Sequence, residues 1–182
     1  MTRKNTFILS MAIMLFAAFS VSAAPASSTE IQKSVEQEVF KKIVTMPYYG
    51  LFDSISFEMD GDTVILSGSV YNALNRKVAE NRVMKVEGVA NVVNNIEILP
   101  PSNFDDRIRR RVVRSFANTG GLYRYMIGPN PSMRIIVDGG KLTLTGFVSN
   151  EGDIRLATIL AKGIPGVFTV TNNLELGNDK KY

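Results

Sequence analysis

Five arginines and two aspartates crowd into ten consecutive residues, Asp105-Asp106-Arg107-Ile108-Arg109-Arg110-Arg111-Val112-Val113-Arg114. A helix turns about 100 degrees per residue, so Arg110, Arg114, Arg107 and Arg111 fall in that order within an arc of about 100 degrees. Ile108, Val112 and Phe116 take the opposite face. Guanidinium groups suit the planar, multidentate recognition of phosphate and carboxylate. Like charges at i, i+3 and i+4 repel and destabilise a helix, so an anionic lipid, lipopolysaccharide or an acidic protein would relieve the strain of this stripe. Near an anionic membrane each arginine contributes about 1 kcal/mol. Four therefore give about 4 kcal/mol, or about three decades in a binding constant. The loop that follows, Gly120-Gly121-Leu122-Tyr123-Arg124-Tyr125-Met126-Ile127-Gly128, offers Tyr123, Arg124 and Tyr125 as further contacts for a headgroup layer. Those same side chains could instead cover the edge of their own core, as Tyr48 and Tyr49 could at an equivalent place earlier in the chain.

Catalysis has little to work with. Histidine and cysteine are both absent, which removes the commonest general base and zinc ligand and the commonest soft nucleophile. Asp60 and Asp62 flank a glycine in the manner of turn formers. The corresponding Asp138-Gly139-Gly140 keeps one carboxylate only, which argues against a shared calcium site. No phosphate-cradling glycine loop of the Walker type occurs. The sequence therefore names no catalytic residue, metal site or cofactor.

The elements that must position the arginines come twice. A shift of 78 residues lays Asp60, Gly61, Val64, Leu66, Gly68, Val70, Ala79, Gly88, Val89 and Asn94 onto Asp138, Gly139, Leu142, Leu144, Gly146, Val148, Ala157, Gly166, Val167 and Asn172. Matched glycines and aspartates imply matched turns. In the first copy, Ile31, Val35, Val39 and Ile43 recur at helical spacing up to Pro47. Ile55, Phe57 and Met59, then Val64, Leu66 and Val70, alternate around Asp60-Gly61-Asp62 as a hairpin. Asn72 caps a second helix that ends at Gly88, and a third strand runs from Val92 to Ile98. The second copy repeats the order from Ser102, where Ser102 and Asp105 have the spacing of a capping box. The fold class expected is α+β: two tandem modules, each helix-strand-strand-helix-strand, with a three-stranded mixed sheet packed against two helices. A helical link between the second and third strands predicts that they run parallel.

The N-terminus carries Arg3 and Lys4, an apolar run from Phe7 to Val21 and a small-residue site ending at Ala23, the layout of a secretory signal peptide. Residues 1–23 are read as that signal, 30–99 and 102–177 as the modules, and 178–182 as a tail. Charge divides unevenly: residues 24–99 hold 7 basic and 10 acidic side chains, residues 100–182 hold 12 and 7. The basic surplus beyond the signal lies wholly in the second copy, an asymmetry that reports a partner more than a fold.

The pattern Asp-Gly-x-Val-x-Leu-x-Gly-x-Val, then Ala79, then Gly88-Val89-x-x-Val92-x-Asn94-x-Ile96-x-Ile98, resembles the BON domain. The second copy matches through Asp138, Gly139, Leu142, Leu144, Gly146, Val148, Ala157, Gly166, Val167, Val170, Asn172, Leu174 and Leu176. The resemblance implies a non-enzymatic protein of the bacterial envelope, with links to membrane integrity and osmotic stress. With an export signal and no lipidation cysteine, the expected place is the periplasm, peripheral to a membrane. The expected function is peripheral binding of an anionic phospholipid surface through the second module, by Arg107, Arg110, Arg111, Arg114, Tyr123, Arg124 and Tyr125. The alternative is a periplasmic adaptor or chaperone-like module that contacts envelope proteins without lipid. Nucleic acid is not an expected partner in that compartment.

Overall fold

A computed structural model describes residues 28–177, with residues 28 and 29 defined in backbone only. The expected signal peptide at 1–23 and tail at 178–182 lie outside the described residues. The chain builds α1 (Ser28–Val44), β1 (Ser54–Asp60), β2 (Thr63–Val70), α2 (Ala73–Val83), β3 (Asn91–Asn94) and β4 (Glu97–Ile98). It then repeats the plan with α3 (Asn103–Asn118), a 3-10 turn at Leu122–Tyr125, β5 (Met133–Asp138), β6 (Lys141–Val148), α4 (Glu151–Lys162) and β7 (Thr169–Leu176). In each module the second strand is central, antiparallel to its hairpin partner and parallel to the strand that returns after the helix. The α+β class, the duplicated order and the mixed sheets are as the sequence predicts.

The repeated small and polar residues explain themselves in the backbone. Gly68 and Gly146 both sit at positive φ, and a Cβ there would lie 2.2 Å from the Ser54 carbonyl oxygen and 2.0 Å from that of Ser132. Only glycine lets the central strand pass that close to the start of the hairpin. Asn94 donates from Nδ2 to the Arg76 carbonyl and Glu80, while its Oδ1 accepts from the Ile96 amide. Asn172 does the same to Ile154, Thr158 and Leu174. Each asparagine thereby staples the last strand to its helix. In the first module the strand expected as one run, 92–98, is two pieces: the ladder to β2 breaks at Asn95-Ile96, where Ile96 turns into the core.

Two separate cores form, one around Val39, Ile43, Val64, Leu66, Val70 and Ala79, the other around Ile108, Val112, Phe116, Leu142, Leu144 and Ala157. The modules are joined by something the sequence did not announce. The connector after α1 leaves its own module, and Leu51 and Phe52 pack against the second core. There the Ile135 amide donates to the Leu51 carbonyl at 2.8 Å. Arg134, 7% exposed, donates to the Gly50 carbonyl at 2.8 Å and to Asn130, its guanidinium 4.3 Å from the Tyr49 ring centre. Asp53 holds the connector in shape: its carboxylate accepts from the Gly50 and Tyr71 amides and from Asn75 Nδ2. β5 is accordingly buried along almost its whole length, while β1 is not.

Burial pushes the Tyr49 phenol above its ordinary value, with Arg134 opposing the shift. Burial also lowers Arg134, against the pull of Tyr49 and Asp53. For Tyr49 the folded value exceeds the unfolded one, so its contribution is fully present below the unfolded value and is lost as pH climbs through the folded value. Alkaline unfolding followed by circular dichroism should therefore be less steep in Tyr49→Phe than in the parent chain. Phe52→Ala tests the seam itself. It should lower the unfolding free energy by about 2 to 3 kcal/mol and separate one urea transition into two, and a single transition at the parent midpoint would contradict the packing described.

Candidate functional site

The outward face of α3 presents the arginines. Ser102 caps the helix, its Oγ accepting the Asp105 amide at 3.1 Å. The expected capping box does not close, because the Asp105 carboxylate faces inward and accepts the Gly139 and Gly140 amides of the β5–β6 turn at 3.0 and 2.8 Å. Asp105 thus spends its charge on the hairpin, where both central glycines take positive φ.

The five arginines separate sharply by direction. Arg109, 2% exposed, points in: it donates to the Val137 carbonyl at 2.5 Å and to Asp106 at 2.7 Å, and lies 4.7 Å from the ring centre of Tyr71 in the first module. Arg107, Arg110, Arg111 and Arg114 are exposed and, among the described residues, make no ion pair. Among the described residues, two of them have neighbours: one an aromatic ring, the other a backbone carbonyl. Arg107 stands 5.9 Å from the Phe104 ring, and Arg111 donates to the Pro165 carbonyl at 2.6 Å. Phe104 in turn stacks on Phe168 at 5.9 Å, and Phe168 is 76% exposed, the highest value among the exposed large apolar residues. An apolar tip therefore sits beside the cationic stripe. Sequence reasoning passed it over, although the repeat offered a signal: Phe168 corresponds to Ala90 in the first module.

The loop after α3 is only partly what was expected. Tyr123 is exposed at 52%. Tyr125 is corrected: it is buried, its hydroxyl donating to Asp153 at 2.6 Å, accepting the Ser149 amide at 3.0 Å and meeting the Ser149 hydroxyl. A phenol so engaged cannot reach a headgroup layer. Arg124 is half-exposed but bonded to Tyr125 and Asp153, which raise its guanidinium above the ordinary value, the Tyr125 contact foremost. Asp153 occupies the helix position that Asn75 holds in the first module, and each ties its helix to the loop before its hairpin. These buried polar anchors were not singled out from the sequence; their trace there was a polar residue one turn before each matched alanine, Ala79 and Ala157.

A cleft of 670 Å³ lies between the modules, with β1 along one side. Among the described residues no group of three or more acidic side chains is arranged to hold a metal.

The BON domain model matches residues 28–100 and again 104–178. The chain belongs to the BON domain family. Membership places it among periplasmic or envelope-associated proteins of a generally non-enzymatic family. Among the described residues no helix is long and apolar enough to cross a membrane. No curated protein matches the chain. Among solved structures it is similar to the C-terminal domain of CdsD, the structural protein of the type III secretion system of Chlamydia trachomatis, at 11% identity and a TM-score of 0.32, covering 78% of this chain and 96% of that one. A second CdsD structure from the same organism aligns at 13% identity and a TM-score of 0.28, over 81% and 92%.

Tyr123 and Tyr125, both in the 3-10 turn after α3, should behave differently on substitution. Tyr125→Phe, which strands the hydrogen-bond partners at Asp153 and Ser149, should lower stability by about 1 to 2 kcal/mol in urea titration. Tyr123→Phe should leave the midpoint unchanged, and equal effects would contradict the two environments.

Proposed function

We propose that this chain is a non-enzymatic envelope-maintenance protein of the periplasm whose second BON domain docks peripherally on anionic phospholipid. The observation that carries the proposal is the combination of four exposed guanidinium groups, Arg107, Arg110, Arg111 and Arg114, which make no ion pair among the described residues, with the protruding Phe168. Each half complements the other. Guanidinium groups attract phosphate at the headgroup level, and an aromatic ring enters the interface beneath it. Tyr123 extends the rim, while Arg124, held by Asp153, contributes charge without leaving its place.

The magnitudes suit reversible attachment. Four arginines supply about 4 kcal/mol, and partial burial of one phenylalanine about 1 to 2 kcal/mol more. Together they correspond to about four decades in binding constant, and the electrostatic share weakens as salt shortens the Debye length. Such a protein would patrol a membrane surface instead of anchoring in it.

Co-sedimentation with vesicles tests this directly. Vesicles containing phosphatidylglycerol should pull down the protein at low salt, and vesicles of phosphatidylcholine alone should not. Reversing all four arginines to glutamate should abolish binding, and Phe168→Ser should weaken it about tenfold with an unchanged unfolding midpoint. Binding that ignores anionic lipid content, or that survives the charge reversal, overturns the lipid reading.

A further inference from the structure

The two sheets treat their hairpin edges differently. The outer edge of β5 is covered by the Gly50–Phe52 connector, with the Ile135 amide bonded to Leu51. The outer edge of β1 has no strand against it: β1 pairs with β2 alone. Asp60 and Thr63 face each other across a two-residue turn, which sets the hydrogen-bonded pairs of this ladder at 60/63, 58/65, 56/67 and 54/69. Ile55, Phe57 and Met59 therefore direct their amides and carbonyls away from β2. The Ile55 amide shows the direction, since it leaves the ladder to reach the Tyr49 hydroxyl at 3.1 Å. The β1–β2 register turns the amides of Phe57 and Met59 away from the ladder, and among the described residues they make no backbone bond outside it.

This open edge does not face bulk water alone. Every residue from Ser54 to Met59 lines the 670 Å³ cleft. One wall of the cleft is α1, through Phe40 and Val44, and the other is the outer face of the second sheet, through Thr145 and Phe147. Its charged rim is acidic: Glu36, Glu58 and Glu175 make no ion pair among the described residues. Among the described residues the one cation lining it, Arg134, is already bonded to Gly50 and Asn130.

We propose that the edge of β1 receives an extended segment of a partner protein as an added strand, one with alternating apolar side chains and at least one lysine or arginine. Unsatisfied strand-edge groups are a template for pairing, and strand addition takes its affinity from main-chain bonds and its selectivity from side-chain pockets. Six residues at about 3.3 Å each give a run of about 20 Å, enough for one short strand. The apolar walls receive alternate side chains, and the acidic rim selects a basic segment over an acidic one. This site is separate from the arginine face, and its test does not depend on lipid.

The probe is a short blocked peptide alternating valine with lysine, beside a control in which glutamate replaces lysine. Amide hydrogen exchange of the protein with saturating valine-lysine peptide should slow about tenfold or more at Phe57 and Met59. Glu58→Lys with Glu175→Lys, both at exposed positions, should weaken peptide binding about tenfold without altering the unfolding midpoint. The proposal is overturned by no binding at millimolar peptide, by equal binding of the glutamate control, or by binding without protection at Phe57 and Met59. It is overturned in favour of the chain's own end if truncation after Gly177 removes protection already present in the free protein. Protection that rises with protein concentration alone would instead assign the edge to a second copy.

Discussion

The edge of β5 is the constraint around which the second module is arranged. A buried strand edge must find partners for its amides and carbonyls, and here the partner is a connector from the other module: Leu51 accepts from Ile135, Gly50 accepts from Arg134. Covering that edge draws Leu51 and Phe52 onto the second core and withdraws Arg134 from water against Tyr49. An isolated buried guanidinium is expensive; this one has a carbonyl, an amide oxygen and an aromatic face. The duplicated modules thus become unequal by docking. One hairpin edge is sealed, and the other remains a free strand margin in the cleft.

The same economy governs charge on α3. Asp105 and Asp106 stand in its first turn, where carboxylates favour the positive end of the helix. Both then turn to structural partners, Asp105 to the Gly139-Gly140 turn and Asp106 to the inward Arg109. Neither is paired with the outward stripe. The acids nearest in sequence to the arginines support the helix without neutralising the surface, so repulsion among Arg107, Arg110, Arg111 and Arg114 is not relieved by either of them.

Much of the fold was legible because glycine, asparagine and alternating apolar residues recur at one spacing, and those types have narrow structural meanings. The helices, both hairpins and the parallel return strands follow from period and turn chemistry alone. The arginine arc was legible for the same reason, since helical periodicity fixes direction: Arg107, Arg110, Arg111 and Arg114 are exposed on one face, while the burial of Arg109 was not read from the sequence. The seam was not. Leu51 and Phe52 look like ordinary residues ahead of a strand, and which core they join depends on how two modules meet. Tyr125 escaped for a related reason: a tyrosine in a glycine-rich loop reads the same whether its hydroxyl meets water or a carboxylate 28 residues further along the chain, and Asp153 is the partner that decides it. Phe168 was hidden by a neighbouring stack, as Phe104 and Phe168 meet only when the helix and the loop after α4 fold together.

The first module supplies the control that separates fold from function in the second. At the places of Arg107, Arg110, Arg111 and Arg114 it has Glu30, Lys33, Ser34 and Gln37, by an offset of 77 in this helix because the connector after it differs by one residue, and at the place of Phe168 it has Ala90. Yet it builds the same strand order, the same asparagine staple and the same glycine crossing. None of the stripe, and not the aromatic tip, is needed to make a BON domain. Residues that the architecture does not require, that repel one another and that share a face with a protruding ring are explained more economically by something outside the molecule than by anything within it. That is the physical ground on which the membrane role is proposed for one copy, and strand addition for the other, with its open strand margin and acidic rim.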